Sequence, residues 1–539
     1  MESICKNIRL ENCKAEGTIQ TALEEDINLA ENKEDVDKIL LQKGKVKIDE
    51  VKIASSHAFV KGKILYHILY KTLEEKTPLQ SITGSLPFYE DIYINGLENG
   101  DHVIAEGKLD DISVHIINSR KLNLRALVIL HAISEDIKEE EVCMDLEEVQ
   151  GINMQKKAFT FVEIVEDKRD IFRVRDEIEL PKSMPNISNI VWKDIRLQNV
   201  SYKPVTGKIY LKGEIFVFVL YQASAYDTGE NVNEASNDLA CYDTRISFQG
   251  ELECADCNEN MLLDMQVSLG NEVVDIRQDI DQENRVIGMD CSLDLNIHLY
   301  EQKEIEYVAD AYGVNQEVLC SYKNFFVKNI VWQKAETIPA EETLELNLEN
   351  EEIQKLCSAG CVVHLDEDCH SNMNEPEKEL RQGQISMPGY LTTEVLYQSH
   401  DDDGNVHFKT VMADTPFSVL LDVPQDGRKY QIRVDAMLQD YSVNMQGKDR
   451  LDMKATIQVQ AKVYADNEVA LLSGIDVKPL DYHKIKEIPG MLIYYVKQGD
   501  SLWNIGKKYY MDVEKIKELN HLKDDNIKKG DKLLLMKEM

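Results

Sequence analysis

The densest set of metal-ligating residue types is Cys357-x3-Cys361-x2-His364-x4-Cys369-His370. Thiolates and imidazoles this close together could hold zinc. The spacing matches no common zinc site, however. Val362 and Val363 favour a strand, whose alternation would send neighbouring ligands to opposite faces. Unrelated core thiols are the alternative, and no metal is the expectation taken. Cys254-Ala255-Asp256-Cys257 has redox-pair spacing without the strand-to-helix setting that such chemistry uses. His67 lies on an apolar stretch whose counterparts elsewhere in the chain carry Phe218 and Glu394, so it is no essential base. The acid runs Glu139–Glu141 and Asp401–Asp403 read as solvated turns, because nothing gathers them into a low-dielectric site. The chain contains no phosphate-cradling glycine loop, nucleophile elbow or HExxH pair. The expectation is a protein without catalytic residues or cofactor.

The elements around these residues are repeated. Gly62-KILYHIL-Tyr70, Gly213-EIFVFVL-Tyr221 and Gly389-YLTTEVL-Tyr397 each set Gly and Tyr eight positions apart. A second landmark follows each: Pro87-Phe88, Ser247-Phe248 and Pro416-Phe417. Beyond it come two long alternating arms hinged near Arg120, Arg285 and Arg450. The Phe-to-Arg spacings of 32, 37 and 33 agree well enough to define a threefold duplication. A further echo joins Asn189-IV-Trp192 to Asn329-IV-Trp332.

The period is β. In the second copy Ile215, Val217, Val219 and Tyr221 share one face and Phe216, Phe218 and Leu220 the other, as in a central strand covered on both sides. In the third, Thr392 and Glu394 suggest that one face meets water. Turn signals at Asp402–Asn405 and Gln425–Gly427 fit hairpins, and Gln222–Ile246 reads as an exposed loop. The predicted fold is mainly β: three antiparallel sandwich-like domains and a small βααβ module. The predicted limits are a helical or irregular lead-in at 1–40, β domains at 41–155, 156–322 and 323–475, a linker at 476–490 and the module at 491–539.

A chain of 539 residues exceeds a single core. Its 97 acids against 61 lysines and arginines give a net charge of −36, which disfavours nucleic acid and anionic membranes as partners. From Met491 onward ten lysines face eight acids, so that stretch carries +2 and the rest −38. The eleven cysteines are odd in number and irregularly spread, unlike a secreted disulfide framework. No stretch of eighteen apolar residues could span a membrane, and the amino-terminal residues hold no apolar run of signal-peptide length. A cytoplasmic location is expected.

The last stretch is a module of its own. A short strand, Ile493–Lys497, meets a turn at Gln498-Gly499-Asp500. Asp500 and Ser501 can each cap the helix that follows, with Leu502, Ile505 and Tyr509 at helical spacing. Asp512 caps a second helix, Asn520 tolerates the left-handed geometry that ends one, and Lys532–Met536 is a closing strand. This order resembles the LysM domain, through Tyr494-x-Val496-x-x-Gly499-Asp500-Ser501-Leu502-Trp503-x-Ile505, Ile516-x-x-Leu519-Asn520 and Ile527-x-x-Gly530-Asp531-x-Leu533. Gly506 departs from the family's usual alanine, at a cost of about 1 kcal/mol in helix propensity. The resemblance implies a shallow groove for N-acetylglucosamine polymers lined by Gly499, Asp500, Ser501, Leu502, Asn526 and Ile527; the same residues would also serve as caps and turns. Trp503 is a candidate anchor for a docked protein, with core packing as its alternative.

Three acidic β repeats followed by such a module are similar to the SPOCS-domain spore-coat proteins of the SipL type. That resemblance implies work in the mother-cell cytosol, at the outer surface of the forespore and its coat. It also implies a LysM module bound to the coat-basement ATPase of the SpoIVA type, with peptidoglycan binding as the alternative. The ligands of the three β domains stay open.

Overall fold

In a computed structural model, the described residues are 3–74, 78–146, 151–224, 239–346, 348, 351–365, 384–401, 406–422, 430–480, 486 and 489–536. Hydrogen bonding sorts eighteen of the described strands into six three-stranded sheets, two for each of three successive units of six strands. The first unit holds β1 (Ser3–Asn28), β2 (Val36–Ala54), β3 (His57–Thr72), β4 (Leu79–Tyr93), β5 (His102–Asn118) and β6 (Lys121–Leu146). The second holds β7 (Ile152–Glu179), β8 (Ile187–Val205), β9 (Lys208–Ala223), β10 (Leu239–Glu253), β11 (Leu262–Gln278) and β12 (Asn284–Gly313). The third holds β13 (Gln316–Glu345), β14 (Glu351–Leu365), β15 (Gln384–Asp401), β16 (Val406–Asp422), β17 (Tyr430–Gln446) and β18 (Arg450–Pro479). In each, strands two to four form one antiparallel sheet and strands one, six and five another. The two sheets face each other over an apolar core. In the second unit Ile215, Val217 and Val219 meet Leu293, Leu295 and Ile297 there. The fold is mainly β, with sandwich-like repeats.

The predicted lead-in at 1–40 is overturned: most of it is β1, paired with β6 along its whole length. Its glutamates and alanines favour a helix, but Ile19, Thr21 and Leu23 are half-buried while Gln20, Ala22 and Glu24 are exposed. That is a period of two, and the apolar face of β6 opposite it decides the conformation. For the same reason the predicted limits at 40, 155 and 322 cut through β2, β7 and β13. Each unit opens on a strand whose partner lies at the unit's far end. The Asn189 and Asn329 echo does not belong to the duplication, since it falls on β8 and β13, which are not equivalent. Of the predicted loop Gln222–Ile246, residues 225–238 lie outside the described residues and Leu239 onward is β10. The turn signals at 402–405 and 425–427 also lie outside them, as does most of the linker after Pro479.

The repeated residues have one physical explanation each. The Gly-x7-Tyr strands β3, β9 and β15 are the central strands of their sheets. Gly62, Gly213 and Gly389 stand directly opposite Phe88, Phe248 and Phe417. A Cβ at each glycine would come within 2.5, 2.6 and 2.6 Å of the facing phenyl Cζ. The ring covers backbone that a strand glycine leaves bare. The tyrosine closes the far end: Tyr221 Oη donates to the Pro185 carbonyl at 3.1 Å, and Tyr70 Oη lies 3.2 Å from the Glu34 carbonyl. Arg120 and Arg285 clamp the link between the first two strands of their units. Arg120 donates to the Asp35 carboxylate and the Ala30 and Lys33 carbonyls; Arg285 donates to Asn186 and the Pro181 and Met184 carbonyls.

The outer faces of the three Gly-Tyr sheets meet in a shared core. Leu69, Leu220 and Leu396, all next to the repeated tyrosine, are fully buried in it. A β-bulge recurs beside each, so that Leu40, Val191 and Cys357 also turn into this junction. The adjoining layer is polar and different in each unit. Lys43 lies opposite His67, Asp194 opposite Phe218, and Gly360 opposite Glu394. Lys43 Nζ sits 2.8 Å from Asp194, and Arg196 Nε 3.1 Å from its other oxygen. Burial would raise the Asp194 carboxyl, but Lys43 and Arg196 hold it below its usual range. A Cβ at Gly360 would lie 3.7 Å from Lys43 Nζ. The His67 ring stacks on Trp192 at 4.1 Å and is kept neutral, with its pKa pushed down to about 4 by burial and nearby lysines. Glu394 does not face open water as its charge suggested: burial pushes its carboxyl up to about 7, beside Lys43 and Asp194.

Past the sandwiches, the first and last strands of each unit continue as two-stranded ribbons. Their residues Ile8, Val142, Phe161, Ile305, Val327 and Leu471, one from each of the six strands, share another core.

Glu394 generates a test with a definite sign. Its folded pKa is raised, so the folded chain holds an extra proton between about 4.5 and 7, and that stabilisation is lost as pH rises through the window. Glu394→Gln is expected to gain on the parent by on the order of 2 to 3 kcal/mol from pH 4.5 to 7.5, read by denaturant unfolding. His67 tilts the curve the other way between about 4 and 6.5 in both proteins, so it cancels in the difference. A difference that stays flat with pH removes Glu394 from the buried layer.

Candidate functional site

The terminal module consists of β19 (Met491–Tyr495), α1 (Leu502–Tyr509), α2 (Val513–Asn520) and β20 (Lys532–Met536). Its core gathers Val496, Leu502, Ile505, Met511, Ile516, Leu533 and Leu535. Of the two candidate caps, Ser501 is the one used: its hydroxyl accepts from the Asn504 amide at 3.1 Å. Asp500 instead closes the turn before it, accepting from the Lys497 amide at 2.8 Å and the Tyr494 hydroxyl at 2.7 Å. Those two hydrogen bonds hold its carboxyl below the usual range. Gly499 takes a φ of +89°, where a side chain would be strained. Asp512 caps α2 through the Glu514 amide.

Asn520 does not end its helix in the left-handed region; His521 does, with φ 54°. Asn520 instead latches α2 to β20. Its amide nitrogen donates to the Ile516 and Leu534 carbonyls at 2.8 Å each, and its oxygen accepts from the Leu534 amide at 2.6 Å.

The seven candidate site residues divide into three kinds. Gly499 and Asn526 are exposed, while Asp500, Ser501 and Ile527 are half-buried. Leu502 is 1% exposed and belongs to the core, so it offers nothing to a ligand directly. Trp503 is half-buried and turned onto the second unit: its indole nitrogen donates to Asp310 at 2.8 Å, and its ring meets Tyr312 edge-on at 4.7 Å. Asp310, Tyr312 and Lys507 were not legible as site residues. The one signal available was Gly506, whose missing Cβ would come 2.5 Å from Tyr312 Oη.

The other sequence candidates are dispersed. Cys357 lies in the junction and Cys361 in the core of the third unit, because a bulge at Leu356 and Ser358 breaks the alternation between them. His364 stacks on Tyr390, and Cys369 and His370 lie outside the described residues. Cys254 and Cys257 bracket a turn equivalent to that of Ile94 and Leu97 in the first unit. They are core side chains there, and burial pushes the Cys254 thiol up to about 11, away from the reactive thiolate. Among the described residues no three His, Cys, Asp or Glu are grouped to hold a metal ion, and no helix is long and apolar enough to cross a membrane. The acid run at Glu139–Glu141 pairs through Glu140 with Lys323.

Comparison with known proteins agrees with this architecture. A family model described as SipL, SPOCS domain matches residues 35–117, 186–281 and 367–446, and a LysM model matches 494–535. The chain belongs to the SPOCS-domain family. The first two SPOCS matches span the second to fifth strands of their units and the third spans β15 to β17, so all three leave out the long first and last strands. The LysM domain is 52% identical over 42 residues to the probable peptidoglycan endopeptidase LytE of Bacillus subtilis (strain 168). That alignment covers 8% of this chain and 13% of LytE, so the chain spans about an eighth of that relative's length. No solved structure matches.

The latch gives a prediction for the LysM domain. Asn520→Ala leaves the Leu534 amide and carbonyl without their partner, a loss of about 2 kcal/mol. Amide hydrogen exchange at Leu534 is expected to accelerate at least tenfold. Unchanged exchange there removes the latch.

Proposed function

We propose that this chain is a non-enzymatic assembly protein of the spore envelope. It works in the mother-cell cytosol at the forespore surface, where it tethers coat proteins and its LysM domain engages a coat-basement ATPase of the SpoIVA type. The observation that carries this reading is the joining of three SPOCS domains to one LysM domain in a single chain. Several modest surfaces held on one body raise avidity without any single large interface. The junction core supports it, since three units packed on one another present their outer surfaces in a fixed arrangement. The likeness to LytE is confined to the LysM stretch, so an endopeptidase activity does not follow from it.

A second reading, peptidoglycan binding, is favoured by that same stretch and by the exposed Gly499 and Asn526. In it the residues offered to an N-acetylglucosamine polymer are Gly499, Asp500, Ser501, Asn526 and Ile527, with Leu502 supporting them from the core.

Co-sedimentation of the full chain with insoluble peptidoglycan, beside capture of the purified ATPase, separates the two. Retention by the ATPase alone is the expected result, and Asn526→Ala is expected to weaken it about tenfold, or 1.4 kcal/mol. Sedimentation with peptidoglycan and no capture by the ATPase replaces the first reading by the second.

A further inference from the structure

The face of α1 that carries Trp503 is covered by the chain's own second unit. Asp310 of β12 accepts from the Trp503 indole at 2.8 Å and from the Lys507 ammonium at 2.7 and 2.8 Å, and Tyr322 of β13 donates to it at 2.6 Å. Tyr312 of β12 donates to the Met511 carbonyl, just past the end of α1, at 2.8 Å. The contacts made by Trp503, Lys507 and Met511 join residues nearly two hundred positions apart.

Three features show that the surface is built for this contact. The register of β12 slips between Val308 and Asp310, where the extra residue Ala309 makes a bulge that re-aims Asp310; beside Tyr322 the extra residue is Ser473, on the partner strand β18. Gly506 gives up helix propensity, and the space it leaves is filled by the Tyr312 hydroxyl. Asp310 is half-buried, where an unpaired carboxylate would be costly, and three donors converge on it.

We infer that the LysM domain is captive on the second SPOCS unit, clasped through Trp503, so that its groove side stays open to a ligand and its Trp503 face is closed while the clasp holds. For the binding role proposed above, on which it rests for its consequence, this leaves the Gly499–Ser501 turn and the Asn526–Ile527 loop available and removes the Trp503 face. A partner that reads the Trp503 face must first displace Asp310 and Tyr312. The clasp is in that sense autoinhibitory, and Trp503 is a positioning residue.

The test uses the full chain and amide hydrogen exchange over α1, which needs no ligand. Asp310→Ala is expected to raise exchange across 503–511 about tenfold, and Tyr312→Phe, which deletes one hydroxyl, by a smaller factor. Trp503→Phe combined with Asp310→Ala should add little to Asp310→Ala alone, because both remove the same hydrogen bond. Unchanged exchange in both Asp310→Ala and Tyr312→Phe overturns the clasp, as does full additivity of the Trp503 and Asp310 changes. Sedimentation with peptidoglycan is scored separately. Failure of the parent to bind it removes the glycan reading and leaves the exchange result standing. If the parent binds and Asp310→Ala binds equally, the open groove side meets the ligand; if Asp310→Ala binds tenfold better, the ligand reads the covered face and the clasp restrains it. Tenfold weaker binding makes the clasp part of the ligand site and overturns the proposal.

Discussion

Burial of Leu69, Leu220 and Leu396 in one core is the constraint on which the rest of the structure depends. Each lies on the central strand of its sheet, beside the repeated tyrosine. Each faces away from its own sandwich, so a single unit would leave it in water. Fully burying a leucine is worth about 1.5 to 3 kcal/mol. The bulged residues Leu40, Val191 and Cys357 and the Trp192 ring enlarge the same core. An apolar contact of this kind is non-directional and would accept equivalent units in any order. The polar layer beside it removes that freedom. Lys43, Asp194 and Glu394 come from three different units, and only one arrangement pairs the ammonium with the carboxylate. Buried charge seldom adds much stability, but it can specify which surfaces meet.

The repeat was legible because its residues do local work that is the same three times. A strand glycine needs its phenylalanine, and that pairing recurs in all three units; a buried tyrosine needs an acceptor, and a carbonyl serves in the first two. The first strand of each unit was not legible. Its partner lies about a hundred positions or more later, and in β1 the exposed face carries helix formers such as Glu16, Gln20, Ala22 and Glu24, which mimics a helix. The burial of Glu394 was hidden for a related reason. A charge on a strand reads as solvent until another unit supplies Lys43. In the LysM domain the caps and turns follow from residue type within a few positions, so Ser501, Asp512 and Gly499 could be placed from sequence. Asn520 could not, because its bonds to Leu534 span fourteen residues and depend on α2 meeting β20.

The strands that the SPOCS matches leave out are the ones that give the molecule its second core. Ribbons from all three units pack through Ile8, Phe161, Ile305, Val327 and Leu471. The connections from β6 to β7 and from β12 to β13 lie at their ends, as does the exit of β18 toward the LysM domain. The duplication therefore does more than multiply a binding surface: it gathers two chain crossings, and the attachment of a fourth domain, at one place.

Charge draws that attachment together, and contact makes it specific. The body carries −38 and the stretch from Met491 +2, so a lysine-bearing helix is drawn toward the ribbons over roughly one Debye length, about 8 Å at physiological salt. Attraction of that range steers an approach without choosing a pose. The pose is chosen by groups that work only at contact: the carboxylate of Asp310 under the Trp503 indole, and the Tyr312 hydroxyl in the space above Gly506. An alanine at Gly506 would favour α1 as a helix and would crowd this contact. The departure from the LysM pattern at Gly506 thus fits the docked position, although the same Cβ would also come 2.8 Å from the Met511 carbonyl within the domain itself.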